Sequence, residues 1–154
     1  MSAATRDALN SASLEQLCAH LEACDPTFVP PLSQRVDIAA YSQKLVARAE
    51  RLEVWSAETL VGLVAMYCND LQSRVAFISS VSVLPAWTRR GLAHRLVVRA
   101  IALAKQHSMV RLDLEVATEN IAAIRLYASA GFTVASMASG VKVLSLPLTL
   151  GSRG

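Results

Sequence analysis

The apolar residues change their period once between Val75 and His107, and that change fixes the class of fold. From Val75 to Pro85 (VAFISSVSVLP) apolar and β-branched residues alternate, the period of a strand. From Gly91 to His107 the apolar residues recur three and four apart, the period of a helix. Leu92, Leu96, Ala100 and Leu103 are expected inward, beside Ala93, Val97 and Ala104. Between them Pro85 ends the strand, because proline cannot donate to a ladder. A chain that passes from strand to helix in this way packs helices on a sheet.

The flanking sequence repeats the theme. Residues 1–12 are small and polar and are expected to fray. Ser13 caps a helix from Leu14 to Ala23, with Leu14, Leu17, Cys18 and Leu21 on one face. The prolines of DPTFVPPLSQR (Asp25 to Arg35) exclude regular structure there. Asp37 opens a second helix through Arg51, with Ile38, Tyr41, Leu45, Val46 and Ala49 inside and Lys44, Arg48 and Arg51 outside. LEVWSAE and TLVGLVAMYCN read as two strands around Ala57-Glu58, and Asn69 to Ser73 as the following turn. VRLDLEVA (Val110 to Ala117) is a further strand, with Leu112, Leu114 and Val116 opposite Arg111, Asp113 and Glu115. Asn120 caps a helix that stops at Gly131, and FTVASMA and VKVLSLPL close the chain as paired strands around Ser139-Gly140. The order helix, helix, three strands, helix, strand, helix, two strands predicts a mixed α/β (α+β) domain around one sheet.

The bulk numbers exclude several functions. With 154 residues, 53% hydrophobic and 18% charged, the chain has enough apolar material for one real core. A net charge of +3 without a dense basic stripe argues against nucleic acid. No apolar run approaches the ~18 residues of a membrane span. MSAATRDALNSASLEQL lacks the apolar stretch of a secretory signal, so a soluble, cytoplasmic protein with reduced thiols is expected. Cys18, Cys24 and Cys68 form no CxxC pair, which leaves neither a disulfide framework nor a metal site. His20, His94 and His107 lie on predicted helices and read as surface residues. None is near Ser79, Ser80 or Ser82 in sequence, which disfavours a serine nucleophile.

Two stretches carry chemistry. In LPAWTRRGLAHRL (Leu84 to Leu96), the residues Thr88 to Leu92 offer consecutive backbone N–H groups at a helix start. Gly91 leaves room for a ligand at the backbone, and Arg89, Arg90, His94 and Arg95 surround it with positive charge. The result is an anion cradle, although it has neither the P-loop nor the GxGxxG spacing. Taken alone it reads equally well as a capped helix start with solvated arginines. The second stretch is LEVATENIAAIRLYASAGF (Leu114 to Phe132). Asn120 and Tyr127 project from one helix face there, and Glu115 ends the preceding strand on its polar side. Singly these are a cap, a half-buried aromatic and a solvated acid.

Together the two stretches strongly resemble the acetyl-CoA-binding half of the GNAT family of N-acetyltransferases, over roughly Val61 to Val134. The resemblance implies a central mixed, mostly antiparallel twisted sheet flanked by helices, with a splayed strand pair that binds acetyl-CoA as co-substrate without a metal. It implies a single acetyltransferase domain: acceptor-side region 13–57, cofactor core 58–134 and closing strands 135–150. The cofactor contacts it implies are the backbone at Val81 and Val83, the turn Arg89, Arg90, Gly91, Leu92, Ala93 and His94, and Asn120, Ala123 and Tyr127 of N-x-x-A-x-x-x-Y. Tyr127 is the implied acid at the departing sulfur, Glu115 the candidate base through a water, and the amides around Val81 the oxyanion donors. Two departures stand out. Thr88 occupies the first position of the phosphate-loop motif, where the family usually has Gln or Arg, and helix-forming sequence opens the chain where the family commonly has a strand. Phe28, Pro30, Pro31, Tyr41, Trp55 and Tyr67 are candidate pocket aromatics and prolines, with Ser79, Ser80 and Ser82 as candidate polar contacts. The acceptor is expected to be a small-molecule primary amine. A peptide or protein amino terminus is the alternative, suggested by the Glu115 to Tyr127 spacing, and a non-catalytic CoA-binding module is an alternative of another class. A homodimer is a further expectation, with the apolar tail strand VKVLSLPLTL as its candidate edge.

Overall fold

The computed structural model describes residues 4–148. Strands β1 (Arg6–Leu9), β2 (Glu50–Ser56), β3 (Thr59–Tyr67), β4 (Val75–Val83), β5 (Arg111–Ala117), β6 (Thr133–Ala138) and β7 (Val141–Pro147) make one seven-stranded sheet. Its order is β1-β2-β3-β4-β5-β7-β6, and β4-β5 is the parallel pair in an otherwise antiparallel ladder. A parallel neighbour needs a crossover, which helix α3 (Leu92–Gln106) supplies. Helices α1 (Leu14–Cys24) and α2 (Ile38–Arg48) cover one sheet face, and α3 and α4 (Ile121–Ser129) the other.

Each face has its own core. Leu17, Leu21 and Leu45 meet Leu63 and Ala65 on the α1/α2 side. Leu96, Val97 and Ala100 meet Val64, Met66 and Leu114 on the α3/α4 side. Burying a leucine such as Leu96 stabilises by about 2 kcal/mol. A Cβ at Gly62 would stand 2.9 Å from Leu96 Cδ1, so glycine in β3 is what lets α3 sit this close.

The helix starts follow their capping signals. Ser13 accepts from the Gln16 N–H while the Gln16 side chain accepts from the Ser13 N–H, a closed capping box, and Asp37 caps α2. Cys24 and Cys68 are free, buried thiols whose pKa burial pushes up to about 11, which suits packing and not nucleophilic work.

Several expectations need correction. Residues 6–9 form β1 against β2, and only residues 1–3 of the expected frayed segment lie outside the described residues. The chain therefore does open with a strand. Its anchor is Glu53, fully buried in β2, whose carboxylate accepts from the Ser11 N–H and hydroxyl, the Ala12 N–H and Trp55 Nε1. Asp7 adds ion pairs to Arg95 and Arg99 of α3. Helix α2 ends at Arg48, and Arg51 is a strand residue buried beside Glu53 at 3.6 Å, since the β2 ladder competes successfully for residues 50–56. The inner face of α1 is Leu17, His20, Leu21 and Cys24, so Leu14 is exposed; Val46 on α2 is exposed as well. His20 is buried because polar partners await it across the interface, as described below. Strand β7 lies inside the sheet between β5 and β6, so the free edge on that side is β6; Thr149 and Leu150 of the tail lie outside the described residues.

A candidate acetyl-CoA cleft between splayed strands

Strands β4 and β5 separate part-way along their length. Their pairing runs from Val75 with Arg111 to Ile78 with Leu114 and then stops. Beyond that point β4 follows β3 as far as Val83 with Gly62, and β5 follows β7 as far as Ala117 with Val141. The divergence begins at a β-bulge: Ala65 pairs with Ser80 and Met66 with Ile78, which leaves Ser79 as the extra residue. The adjacent serines of FISSV are the sequence trace of this bulge. It also switches the faces, so that Val81 and Val83 join the α3/α4 core as Ala76 and Ile78 do.

The unpaired backbone of β4 faces the gap. Leu84 N–H donates to the Val61 carbonyl at 2.9 Å, which makes Leu84 and Val61 a hydrogen-bonded pair. Alternation along an antiparallel ladder then turns the backbone groups of Ser82 toward β3 and those of Val83 and Val81 toward the gap.

The gap widens into a cleft of about 820 Å³. Val81, Val83, Arg89, Gly91, Leu92, Ala93, His94, Asn120, Ala123, Tyr127 and Glu115 all line it. At one end is the start of α3. Gly91 is its N-cap residue at φ +75 with no side-chain cap, so the first amides of the helix have no capping side chain among the described residues. Arg89 also has a positive φ of 66, and the alternation of backbone conformations from Arg89 to Gly91 gathers N–H groups toward one point. Thr88 spends its hydroxyl on the Pro85 carbonyl at 3.0 Å, so it holds the turn together. These open amides suit a pyrophosphate, and the unpaired β4 backbone suits an amide-bearing arm such as pantetheine.

On the other wall, Asn120 is both cap and cleft residue. Its Oδ1 accepts from the Ala123 N–H at 3.3 Å, which leaves Nδ2 as a donor. Tyr127 is buried, its ring edge-on to Phe132 at 6.0 Å, and burial pushes its pKa up to about 12. Glu115 is exposed on the β5 face opposite Leu114 and Val116.

Some expected residues lie elsewhere. Arg90 is turned out of the cleft, its guanidinium stacked 4.5 Å over Trp87. Tyr67 packs in the α1/α2 core under Lys44 Nζ at 5.4 Å, because β3 is an interior strand and the cleft opens on the other side of β4. Trp55 is likewise core. Tyr41 is outside the lining but shares a 2.5 Å hydrogen bond with Ser79, which does line it. Phe28, Pro30, Ser79, Ser80 and Ser82 are lining residues. Sequence reasoning did not single out Thr27, Val29, Arg35, Trp87 or Val141, since loop and hairpin residues meet β4 only through tertiary packing.

The model of the Acetyltransferase (GNAT) family matches residues 14–132 of the chain. The chain belongs to this family. No curated protein sequence matches it. Among solved structures, the ribosomal-protein-S18-alanine N-acetyltransferase from Escherichia coli superposes with a TM-score of 0.75 at 19% identity, covering 96% of this chain and 97% of that one. The yncA protein from Salmonella typhimurium, solved with acetyl-CoA, gives 0.74 at 20% identity, covering 96% of each chain. A Bacillus subtilis acetyltransferase in complex with CoA gives 0.73 at 18% identity, covering 94% and 99%. At these identities the likeness is one of fold. Among the described residues there is no group of metal-ligating side chains, and no helix of the GNAT chain is long and apolar enough to cross a membrane.

Proposed function

We propose that this GNAT chain moves the acetyl group of acetyl-CoA to a primary amine of a small molecule by direct attack in a ternary complex. One observation carries the reading: the sheet opens between β4 and β5 directly beside the uncapped start of α3, so unpaired backbone and open amides share one cleft. In this reading the acceptor side is built by residues 13–57, and the cofactor is held by residues 58–134.

Acetyl-CoA supplies a thioester carbon to which the amine bonds while the carbon–sulfur bond breaks. The amides of Gly91 to His94, with Arg89, hold the pyrophosphate. The backbone of Val81 and Val83 pairs with the pantetheine arm, and an amide near Val81 meets the negative charge that grows on the carbonyl oxygen. Asn120 Nδ2 donates toward the same arm. Tyr127 aims a phenol at the sulfur. With its pKa near 12 it is neutral throughout the working range. Outright transfer to a thiolate of ordinary pKa ~8.5 is uphill by about 3.5 units, or about 5 kcal/mol. Tyr127 therefore works first as a hydrogen-bond donor to the leaving sulfur, and the balancing proton comes from the ammonium formed by attack.

Before the attack, Glu115 takes through a water the proton that the ammonium form of the acceptor must lose, which leaves the proton released after attack for the sulfur. How much this matters depends on the acceptor. An α-amine near pKa ~7.8 costs about 1 kcal/mol to deprotonate at pH 7, whereas a lysine-like amine costs about 4.6 kcal/mol.

A peptide amino terminus is the second reading, favoured by Glu115 and Tyr127 flanking one cleft and by the fold of the S18-alanine acetyltransferase. The first experiment is calorimetric titration with acetyl-CoA, desulfo-CoA and ATP. Saturable binding of both CoA compounds but not ATP is expected, and absence of binding refutes the reading. Thiol release with small amines against amino-terminal peptides then separates the two acceptor classes. Binding without release for any amine would leave only a CoA-binding module.

A further inference from the structure

Resting on this reading, we infer that the acceptor is a small amine that also carries a carboxylate, and that Arg35 holds that carboxylate. Arg35 and Arg89 are the arginines lining the cleft. Arg89 belongs to the turn before α3. Arg35 comes from the loop between α1 and α2, which packs through Phe28 and Leu32 against the α1/α2 core on the opposite sheet face. An arginine there is placed for the acceptor and not for the pyrophosphate.

The loop is built to present it. Leu32 is 2% exposed, and the Arg35 and Val36 amides donate to the Leu32 carbonyl at 2.9 and 3.0 Å. The nearby acid of the loop is already engaged: Asp25 accepts from the Ser33 N–H and hydroxyl, both at 2.7 Å. Those bonds hold its pKa below the ordinary value. Among the described residues Arg35 has no ion-pair partner. Its guanidinium carbon lies 5.9 Å from the Phe28 ring centroid, a contact that steadies the cation without using its N–H groups on a carboxylate.

The rest of the acceptor end has the complementary polarity. Among the described residues Glu115 is the carboxylate lining the cleft, so the same cleft that holds Arg35 also offers an anion for the amine. Ser80 is 6% exposed, lines the cleft, and its buried Oγ has no partner among the described residues. A peptide amino terminus places a neutral amide where Arg35 waits, whereas a free amino acid places a carboxylate there. An amine with a nearby carboxylate satisfies Arg35, Glu115 and the Ser80 hydroxyl together.

The test pairs each α- and ω-amino acid with its own amide, as acceptors for acetyl-CoA-dependent thiol release, and adds short peptides with a neutral or an acidic second residue. The wild type should prefer at least one amino acid over its amide by about tenfold to a hundredfold in kcat/KM, the scale of a charged hydrogen bond. Arg35→Gln should collapse that ratio toward one, chiefly through KM, and Arg35→Lys should restore part of it. Calorimetry on the CoA-loaded protein with the N-acetylated amino acid gives a readout independent of turnover, and Arg35→Gln should weaken that binding too. Equal use of acid and amide, a preference for peptides, or a loss of acetyl-CoA affinity in Arg35→Gln would each overturn the inference. The first two outcomes leave the acetyltransferase reading standing. Absence of acetyl-CoA binding by the wild type would bring down that reading itself.

Discussion

Acidification should destabilise this protein through a single buried histidine. The Leu60 carbonyl can only accept, so His20 Nδ1 carries the proton and donates to it at 2.8 Å. Nε2 is then the bare acceptor of the Ser82 hydroxyl, also at 2.8 Å. A second proton would have to enter a buried site and turn the Ser82 hydroxyl from donor to acceptor, and burial lowers the His20 pKa to about 4. In the unfolded chain the imidazole titrates at its ordinary value near 6.5. Between these values the unfolded state binds a proton that the folded state refuses, so stability falls as pH falls, by about 1.4 kcal/mol per unit. Above pH 6.5 both states are neutral and the effect vanishes. From pH 7 to pH 5 the loss is about 2 kcal/mol, or about 4–8 °C in Tm for a chain of this size. Urea unfolding at pH 7, 6 and 5 measures it directly. His20→Gln, which cannot titrate, should be less stable at pH 7 but should lack most of the slope. Parallel slopes for the two proteins, or a His20 titration near 6.5 by NMR, would refute the argument.

Other outcomes follow from the cleft. Tyr127→Phe should lower kcat about a hundredfold while leaving the acetyl-CoA Kd nearly unchanged; turnover at the wild-type level would remove the phenol from the reaction. Glu115→Gln should lower kcat/KM and shift its pH dependence upward, since more of the amine must then deprotonate unaided, and an identical pH–rate profile would dismiss Glu115 as the base. Gly91→Val forces a β-branched residue to φ +75, where the open space around its Cβ gives no clash, so the cost is backbone strain of about 1–3 kcal/mol. The amides should rotate to relieve it, and calorimetry should show weaker acetyl-CoA binding; unchanged affinity would move the cradle elsewhere. Glu53→Leu strands the Ser11 and Ala12 amides and Trp55 Nε1, and urea unfolding should show a loss of about 3–5 kcal/mol. A loss under 1 kcal/mol would mean that β1 and its linker do not depend on this carboxylate.

Much of the fold was legible because it is written locally. Period-2 alternation marked β4 and β5, and period-3.6 recurrence marked α3. Ser13, Asp37 and Asn120 marked helix starts through the geometry of their own short side chains. The uncapped start of α3, where the cradle is proposed, was legible for the same reason: Arg89 to His94 is contiguous, and a helix start depends on neighbours in sequence. Long-range features escaped. Residues 6–9 carry no strong strand pattern, and they are ordered because Glu53, more than forty positions away, collects the amides that follow them. Arg51 follows a helical stripe in sequence yet belongs to β2, since ladder hydrogen bonds outweigh a continued helix there. His20 has no signal of burial in its own segment; its partners are Leu60 and Ser82 on two different strands.

The amino-acid order thus settled most of the helices and strands, β1 and the end of α2 apart, because those outcomes depend on near neighbours and on one side chain at a time. It left open where β4 and β5 part, since the register between them is fixed by helices packing on both faces and by a bulge at Ser79. Nor did it reveal that Arg35, from a proline-rich loop, shares a cleft with Glu115 from a strand eighty residues on. Residues so far apart in the chain come to line one cleft only when burial of the two cores brings their elements to the same gap.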